Sequence, residues 1–251
     1  MKIVVIGGSG LIGSKLVDVL RLRGAEVLAA SPESGVNTLT GEGLGHAIFG
    51  ADAVVDVSNS PSFDDEAVMR FFKTATGNLL TTEKSAGVKH HIALSIVGTQ
   101  RMNDSGYMRA KAAQEDLIKA SGIPYSILES TQFYEFIERV AKASLVNNVY
   151  RLSPALMQPI VSDDVVAELA EIALGAPING VVEIGGPDAI PLNELAREVL
   201  SAKEDDRQIV ADPDARYYGA LLRDRTLIPG PTARRGSLRF GDWLRQSIPA
   251  D

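Results

Sequence analysis

The chain contains no cysteine, which excludes disulfides, thiolate nucleophiles and cysteine-ligated metal sites. Histidine is nearly as scarce, with only His46, His90 and His91. Neighbouring side chains on a strand point to opposite faces, so the adjacent His90 and His91 cannot grip one ion from a regular strand, and no metal is expected. Long apolar runs are also missing: none approaches the roughly 18 residues of a membrane span. The opening run "KIVVIGG" is too short for a signal-peptide core and passes straight into glycines, so it reads as a first strand of a cytoplasmic protein with no membrane contact. Positive charge is in deficit. A net charge of -7 and a pI near 5.1 argue against nucleic acid as a partner.

What remains is a chain of 251 residues, 45% hydrophobic and 23% charged, able to bury one sizeable core with a small accessory lobe. Short runs rich in Val, Ile, Leu and Ala at 2–6, 26–30, 53–57, 91–95 and 125–129 suit strands buried on both faces. Helical stretches fall between them at 11–23, 41–49, 65–86 and 106–121, with another expected at 132–146. Alternation of this kind predicts an α/β fold: a doubly wound, mainly parallel Rossmann sheet. Beyond about residue 147 isolated prolines break the chain into shorter pieces. The expectation is a single domain over 1–251, with 147–251 supplying the last strands and a small C-terminal substrate lobe.

"VVIGGSGLIG" runs from the first strand into an amphipathic helix, the setting that gives a glycine motif its meaning. Gly8, Gly10 and Gly13 fit one phosphate-binding register, and Gly7, Gly10 and Gly13 fit another. In either, the backbone can approach a pyrophosphate, and the amides of Leu11, Ile12 and Gly13 open the helix toward it. The second strand ends "AEVLAASPESG", where an NAD site usually carries an acid. Ala30 or Ser31 stands there instead. With no carboxylate to repel a 2′-phosphate and with Ser31 able to donate to it, NADP is the expected cofactor. NAD stays open, because this loop has no lysine or arginine and Glu33 can swing back to the ribose.

In "SGYMRAKAAQEDLIK" helical spacing puts Ala110, Ala113 and Leu117 on the buried stripe and Tyr107, Lys111, Gln114 and Ile118 on its neighbour, at the border with solvent. A tyrosine with an ordinary pKa of about 10 cycles poorly near neutrality, and a lysine ammonium nearby favours its phenolate. Ser95, at the end of the fourth strand, is the hydroxyl that would orient a substrate oxygen. Thr99, one loop away, is the alternative.

Together these features resemble the short-chain dehydrogenase/reductase superfamily, and more narrowly its atypical, NmrA-like branch. The likeness runs from "GGSGLIG" through "DVSNSP" and "YMRAK" to "MQPIVSDDVV" and "VVEIGGPDAIPLNELA". It implies Tyr107 as catalytic acid/base, Lys111 as its partner and a bond to the nicotinamide ribose, and Ser95 as the orienting hydroxyl. It also implies Gly7, Gly10 and Gly13 at the pyrophosphate, with Ser58 and Asn59 on the adenine-ribose side. Asn78 resembles the helix asparagine that supports a proton relay in many members. In relatives, helices such as 65–86 and 106–121 pack against their counterparts, which allows a homodimer.

Phe133, Tyr134 and Met157 are the candidate walls for an apolar carbonyl or quinone. The expected activity is therefore NAD(P)-dependent reduction of a small-molecule carbonyl. The competing readings are a transient-ketone epimerase or dehydratase, and a protein that senses NADP(H) without turnover.

Overall fold

The computed structural model describes residues 1–247. Seven strands form the central sheet: β1 (Lys2–Ile6), β2 (Glu26–Ala30), β3 (Ala53–Asp56), β4 (His90–Ile96), β5 (Tyr125–Ser130), β6 (Gly180–Gly185) and β7 (Arg234–Arg235). Their order is β7-β6-β5-β4-β3-β1-β2. β1 pairs in parallel with both β2 and β3, so the strand order reverses between β1 and β3. In doubly wound sheets that reversal opens a crevice at the carboxyl ends of the two strands, and ligands bind there.

The chain divides into two compact units. The first comprises Met1–Ser95, Gly106–Glu129 and Val165–Val182. Its inner strands β1, β3 and β4 are apolar because both faces are covered: Ile3, Val4, Val5, Val54, Val55 and Ile92 are fully buried, whereas edge strand β2 leaves Glu26 and Leu28 exposed. Helix α1 (Leu11–Leu22) buries Ile12, Leu16, Val17 and Leu20 on one face. Helix α2 (Leu44–Ile48) is a short turn. Helix α3 (Asp65–Ala86) starts at Asp64, whose carboxylate accepts the Ala67 amide at 3.0 Å, and stops at Gly87 in the left-handed region.

Helix α4 (Gly106–Ala120) packs along α3, but not on the expected stripe. It buries Lys111, Gln114, Glu115 and Ile118 with Ala110, whereas Leu117 remains 36% exposed. Polar residues replace apolar ones on the buried face because they satisfy one another there, as described below.

The second unit comprises Ile96–Ser105, Ser130–Asp164 and the chain from Glu183 onward. Its elements are short. Helix α5 (Ile137–Ala143) covers only part of the helix expected at 132–146, since Leu145–Val146 and Val149–Leu152 form an antiparallel hairpin. Asn147 and Asn148, both with positive φ, make its two-residue turn, the conformation asparagine tolerates best among non-glycine residues. Helices α6 (Ser162–Leu174), which straddles the division, α7 (Leu192–Ala202) and α8 (Phe240–Ser247) complete the set. Tyr134, Phe240 and Trp243 form an aromatic cluster in this unit, with ring centroids 5.1–5.8 Å apart. No helix among the described residues is long and apolar enough to cross a membrane.

Candidate active site

The turn after β1 is built from backbone alone. Gly7 has φ +80°, and its amide and that of Gly8 both donate to the Ala30 carbonyl, at 2.9 and 3.1 Å. A Cβ on Gly7 would stand 2.9 Å from the Ser58 backbone, one on Gly8 2.9 Å from Ala29, and one on Gly13 2.1 Å from the Gly7 carbonyl. These three positions therefore exclude any side chain. Gly10 caps α1, and no acid stands in the helix's first turn, so the amides of Leu11, Ile12 and Gly13 face an uncapped, electropositive opening. The side chains of Leu11 and Ile12 turn inward, half-buried and buried. A bare cradle of this shape at the β1/β3 reversal fits a dinucleotide pyrophosphate. The packing requires glycine at positions 7, 8 and 13, whereas a Cβ at Gly10 would meet the Gly7 carbonyl only at 3.4 Å, so both registers of the motif remain compatible with it.

Ser31 follows β2, and its hydroxyl is already committed: it donates to Glu33 Oε2 at 2.8 Å. Ser9, from the glycine turn, donates to the same oxygen at 2.9 Å. The two hydroxyls hold the exposed Glu33 carboxyl below the usual carboxylate range.

Tyr107 is half-buried on the first turn of α4 and gives its phenol proton to Asn59 Oδ1 at 2.9 Å. Its ring lies tilted on Phe63, 5.5 Å away, and edge-on to Phe72. Asn59 follows Ser58, the residue packed against Gly7, so the phenol and the glycine cradle share one loop.

Lys111 is only 4% exposed. Its ammonium donates to the Leu94 carbonyl at 2.8 Å and to Gln114 Oε1, and it sits 4.6 Å from the centre of the Phe72 ring. Burial pulls its pKa down to about 8 against the opposing pull of Asp56 and Glu115. Gln114 in turn donates to Asp56 Oδ2 at 3.0 Å, and Asp56 Oδ1 accepts from the Ser58 amide and hydroxyl at 3.0 and 2.6 Å. A buried polar chain therefore runs from Lys111 through Gln114 and Asp56 to the loop that carries Ser58 and Asn59.

Sequence reasoning missed Asp56. The available signal was an acid ending the otherwise apolar strand "AVVD" and opening the quoted "DVSNSP". Ser95 is buried and donates to Glu115 Oε1 at 2.6 Å, in a second polar group alongside Lys119. Asn78 donates to the carbonyls of Thr38 and Leu39, tying α3 to the loop after β2. His90 meets Ser126 and His91 meets Glu83, in separate buried pairs. Burial lowers the His90 pKa to about 4, whereas the Glu83 carboxylate outweighs burial at His91 and raises its pKa.

The remaining candidates belong to the second unit. Thr99 is buried on a short turn. Tyr134 gives its hydroxyl to the Leu238 carbonyl at 2.8 Å inside the aromatic cluster, and Met157 is fully buried beside Ile190. Phe133 is half-buried, its ring 5.7 Å from that of Phe136.

Comparison with known proteins gives these features a context. Residues 7–165, more than half the chain and inclusive of the glycine turn, Tyr107 and Lys111, match the model of a family described as NAD(P)H-binding. The Photosystem II assembly factor Ycf39 of Cyanophora paradoxa is 26% identical over 149 residues, which cover 54% of this chain and 46% of that protein. The chain thus spans about half the length of the curated relatives it matches. A short-chain dehydrogenase/reductase superfamily protein from Agrobacterium tumefaciens, solved with bound NAD, superposes with a TM-score of 0.73 at 17% identity, covering 99% of this chain and 96% of that one. An NADPH-dependent quinone oxidoreductase from Escherichia coli gives 0.67 at 17% identity, covering 97% and 98%. At these identities the likeness of the two structures is one of fold.

Proposed function

This chain belongs to the NAD(P)H-binding family and has the fold of the atypical short-chain dehydrogenase/reductases; on that premise we propose that it reduces an apolar carbonyl or quinone-like small molecule. What supports the reading is the bond from Tyr107 to Asn59, since Asn59 adjoins the residue packed on the glycine cradle. An acid group thereby stands on the same crevice as the cofactor's binding turn.

Bound NAD(P)H supplies a hydride from its nicotinamide ring. Tyr107 Oη protonates the substrate oxygen as negative charge develops on it, so hydride and proton together convert the carbonyl to an alcohol. The tyrosinate left behind is reprotonated from solvent at the half-buried lip. Lys111 is an ammonium at neutral pH that contacts the same Phe72 ring as Tyr107, and its charge favours that tyrosinate. Ser95 would have to leave Glu115 to orient a substrate oxygen, so the proton step falls to Tyr107 alone. Within the second unit Phe133 is the one of the three apolar candidates whose side chain is not buried, and it is the one available to an apolar substrate. Quinones belong in the substrate range because the E. coli protein of this fold reduces them with NADPH.

One observation favours a second reading, cofactor binding without turnover. Both hydrogen bonds of Lys111 go to Leu94 and Gln114, inside the protein, so no ribose contact is prepared in advance. Oxidation of NADPH and NADH against quinones, aldehydes and cyclic ketones, with wild type and Tyr107→Phe, separates the two. The reductase reading expects turnover to fall about 10²- to 10⁴-fold in the variant, the usual weight of a positioned general acid. Cofactor binding with no turnover in either protein would overturn it in favour of sensing.

A further inference from the structure

The loop after β2 contains a device that the cofactor-binding reading alone does not use. Ser31, Pro32, Glu33 and Ser34 form a tight turn closed reciprocally: the Ser31 amide donates to Ser34 Oγ at 2.9 Å, and the Ser34 amide and hydroxyl donate back to the Ser31 carbonyl at 3.0 and 2.9 Å. Gly35, with φ +81°, lets the chain turn away immediately afterwards. The backbone carrying Glu33 is therefore fixed rather than loose. Its side chain is fixed as well, because Ser9 and Ser31 both donate to Oε2. Neither bond uses Oε1. Ser9 comes from the glycine turn and Ser31 from the strand end, so the carboxylate bridges the two segments whose backbones meet where Gly7 and Gly8 donate to Ala30.

A dinucleotide with its pyrophosphate on the glycine turn carries its adenosine ribose over the end of the second strand, where an acid about 20 residues after the turn can accept from the ribose hydroxyls. We propose that Glu33 is that acid, standing two residues beyond the usual place, and that it makes the protein prefer NAD(H) to NADP(H). This rests on the cofactor reading above and reverses the cofactor expected from Ala30 and Ser31.

Three features carry it. Oε1, which neither serine uses, can accept from a 2′-hydroxyl, whereas a 2′-phosphate would bring like charge against an ionised carboxylate. The hydroxyls that would otherwise donate to a phosphate, those of Ser9 and Ser31, are occupied by Glu33 itself. No lysine or arginine lies between Arg23 and Arg70 to neutralise the phosphate from this part of the chain.

The test is calorimetric titration of the full chain with NADH and NADPH, and with ADP against adenosine 2′,5′-bisphosphate as probes of the adenosine end alone. Wild type should bind NADH at least about tenfold more tightly than NADPH, and ADP more tightly than the bisphosphate, one unfavourable charge contact being worth roughly that factor or more. Glu33→Gln should bring the two cofactors within about threefold of one another, chiefly by a gain for NADPH, since it removes the charge and frees the amide to donate. Glu33→Ala, which releases both serine hydroxyls, should move the preference further toward NADPH. Because Glu33 is exposed, thermal melts of both variants should match wild type. Equal binding of the two cofactors by wild type, or a preference unmoved in both variants, would overturn the role of Glu33 and leave the cofactor site standing. Failure of wild type to bind any of the four ligands would remove the cofactor reading and this inference together.

Discussion

The glycine turn after β1 and the helix that carries Tyr107 lie in the same unit, yet they are specified in different ways. At the turn the backbone is the functional group. Three positions where a Cβ would meet another backbone atom at 2.9 Å or less write that requirement directly into the chain as glycines. On α4 the side chains do the work, and the helix is rotated relative to the stripe that hydrophobic spacing suggests. Its buried face holds Lys111, Gln114 and Glu115, each paired with another polar group: Gln114 with Asp56 and Lys111, Glu115 with Ser95 and Lys119. A steric requirement is legible one residue at a time. A network becomes legible only when its partners, drawn from β3, β4 and α4, are brought together.

The contrast breaks most severely at Gly13. A Cβ there would lie 2.1 Å from the Gly7 carbonyl, so Gly13→Ala forces the turn and α1 apart. Cofactor affinity should fall by about 100-fold or more, and stability by about 1–3 kcal/mol, as for other overpacked sites. Calorimetric titration and denaturant melts check both. Unchanged binding would mean that the cofactor does not use this turn.

Lys111 sharpens the other side of the comparison. Its pKa in the folded protein is about 8, below the roughly 10.4 of an unfolded lysine. Between those values the unfolded chain holds a proton that the folded chain has released, so this group makes stability rise with pH across the window, by about 3 kcal/mol in all. Lys111→Met lacks that contribution. The stability of wild type minus that of the variant, from urea melts, should therefore climb between pH 7.5 and pH 10.5, while titrations common to both proteins cancel. A difference that stays flat would show that the ammonium is solvated rather than enclosed by Leu94, Gln114 and Phe72.

How far the sequence could be read follows the same division. Strands β1 to β5 are found within about two residues of their apolar runs, because strands buried within a parallel sheet tolerate little else, whereas β7 is the exposed pair Arg234–Arg235, which has no apolar run to read. The helix expected at 132–146 shrinks to Ile137–Ala143, because the paired asparagines at 147 and 148 set a hairpin that spacing alone does not reveal. Tyr107 and Lys111 were legible as a pair four residues apart, yet the structure gives them different neighbours, one at the lip with Asn59 and the other inside with Gln114. Asp56 escaped notice since its partners lie 58 residues away at Gln114 and two residues away at Ser58, and no local pattern links the three.

The smallest expected effect tests whether the lip itself is organised. If Asn59 acts by holding the Tyr107 phenol, then Asn59→Ala removes one neutral hydrogen bond, worth about 0.5–1.5 kcal/mol, and turnover should fall roughly 2- to 13-fold. The bond exists only while the phenol does, so the same change made in Tyr107→Phe should cost nothing further, a coupling that a double-mutant cycle reads directly. Equal losses in both backgrounds would assign Asn59 to the cofactor side of the crevice instead, next to Ser58 and Gly7. The helix and the glycine turn would then be joined by the cofactor rather than by the bond from Tyr107 to Asn59, and the phenol would depend on its ring contacts with Phe63 and Phe72.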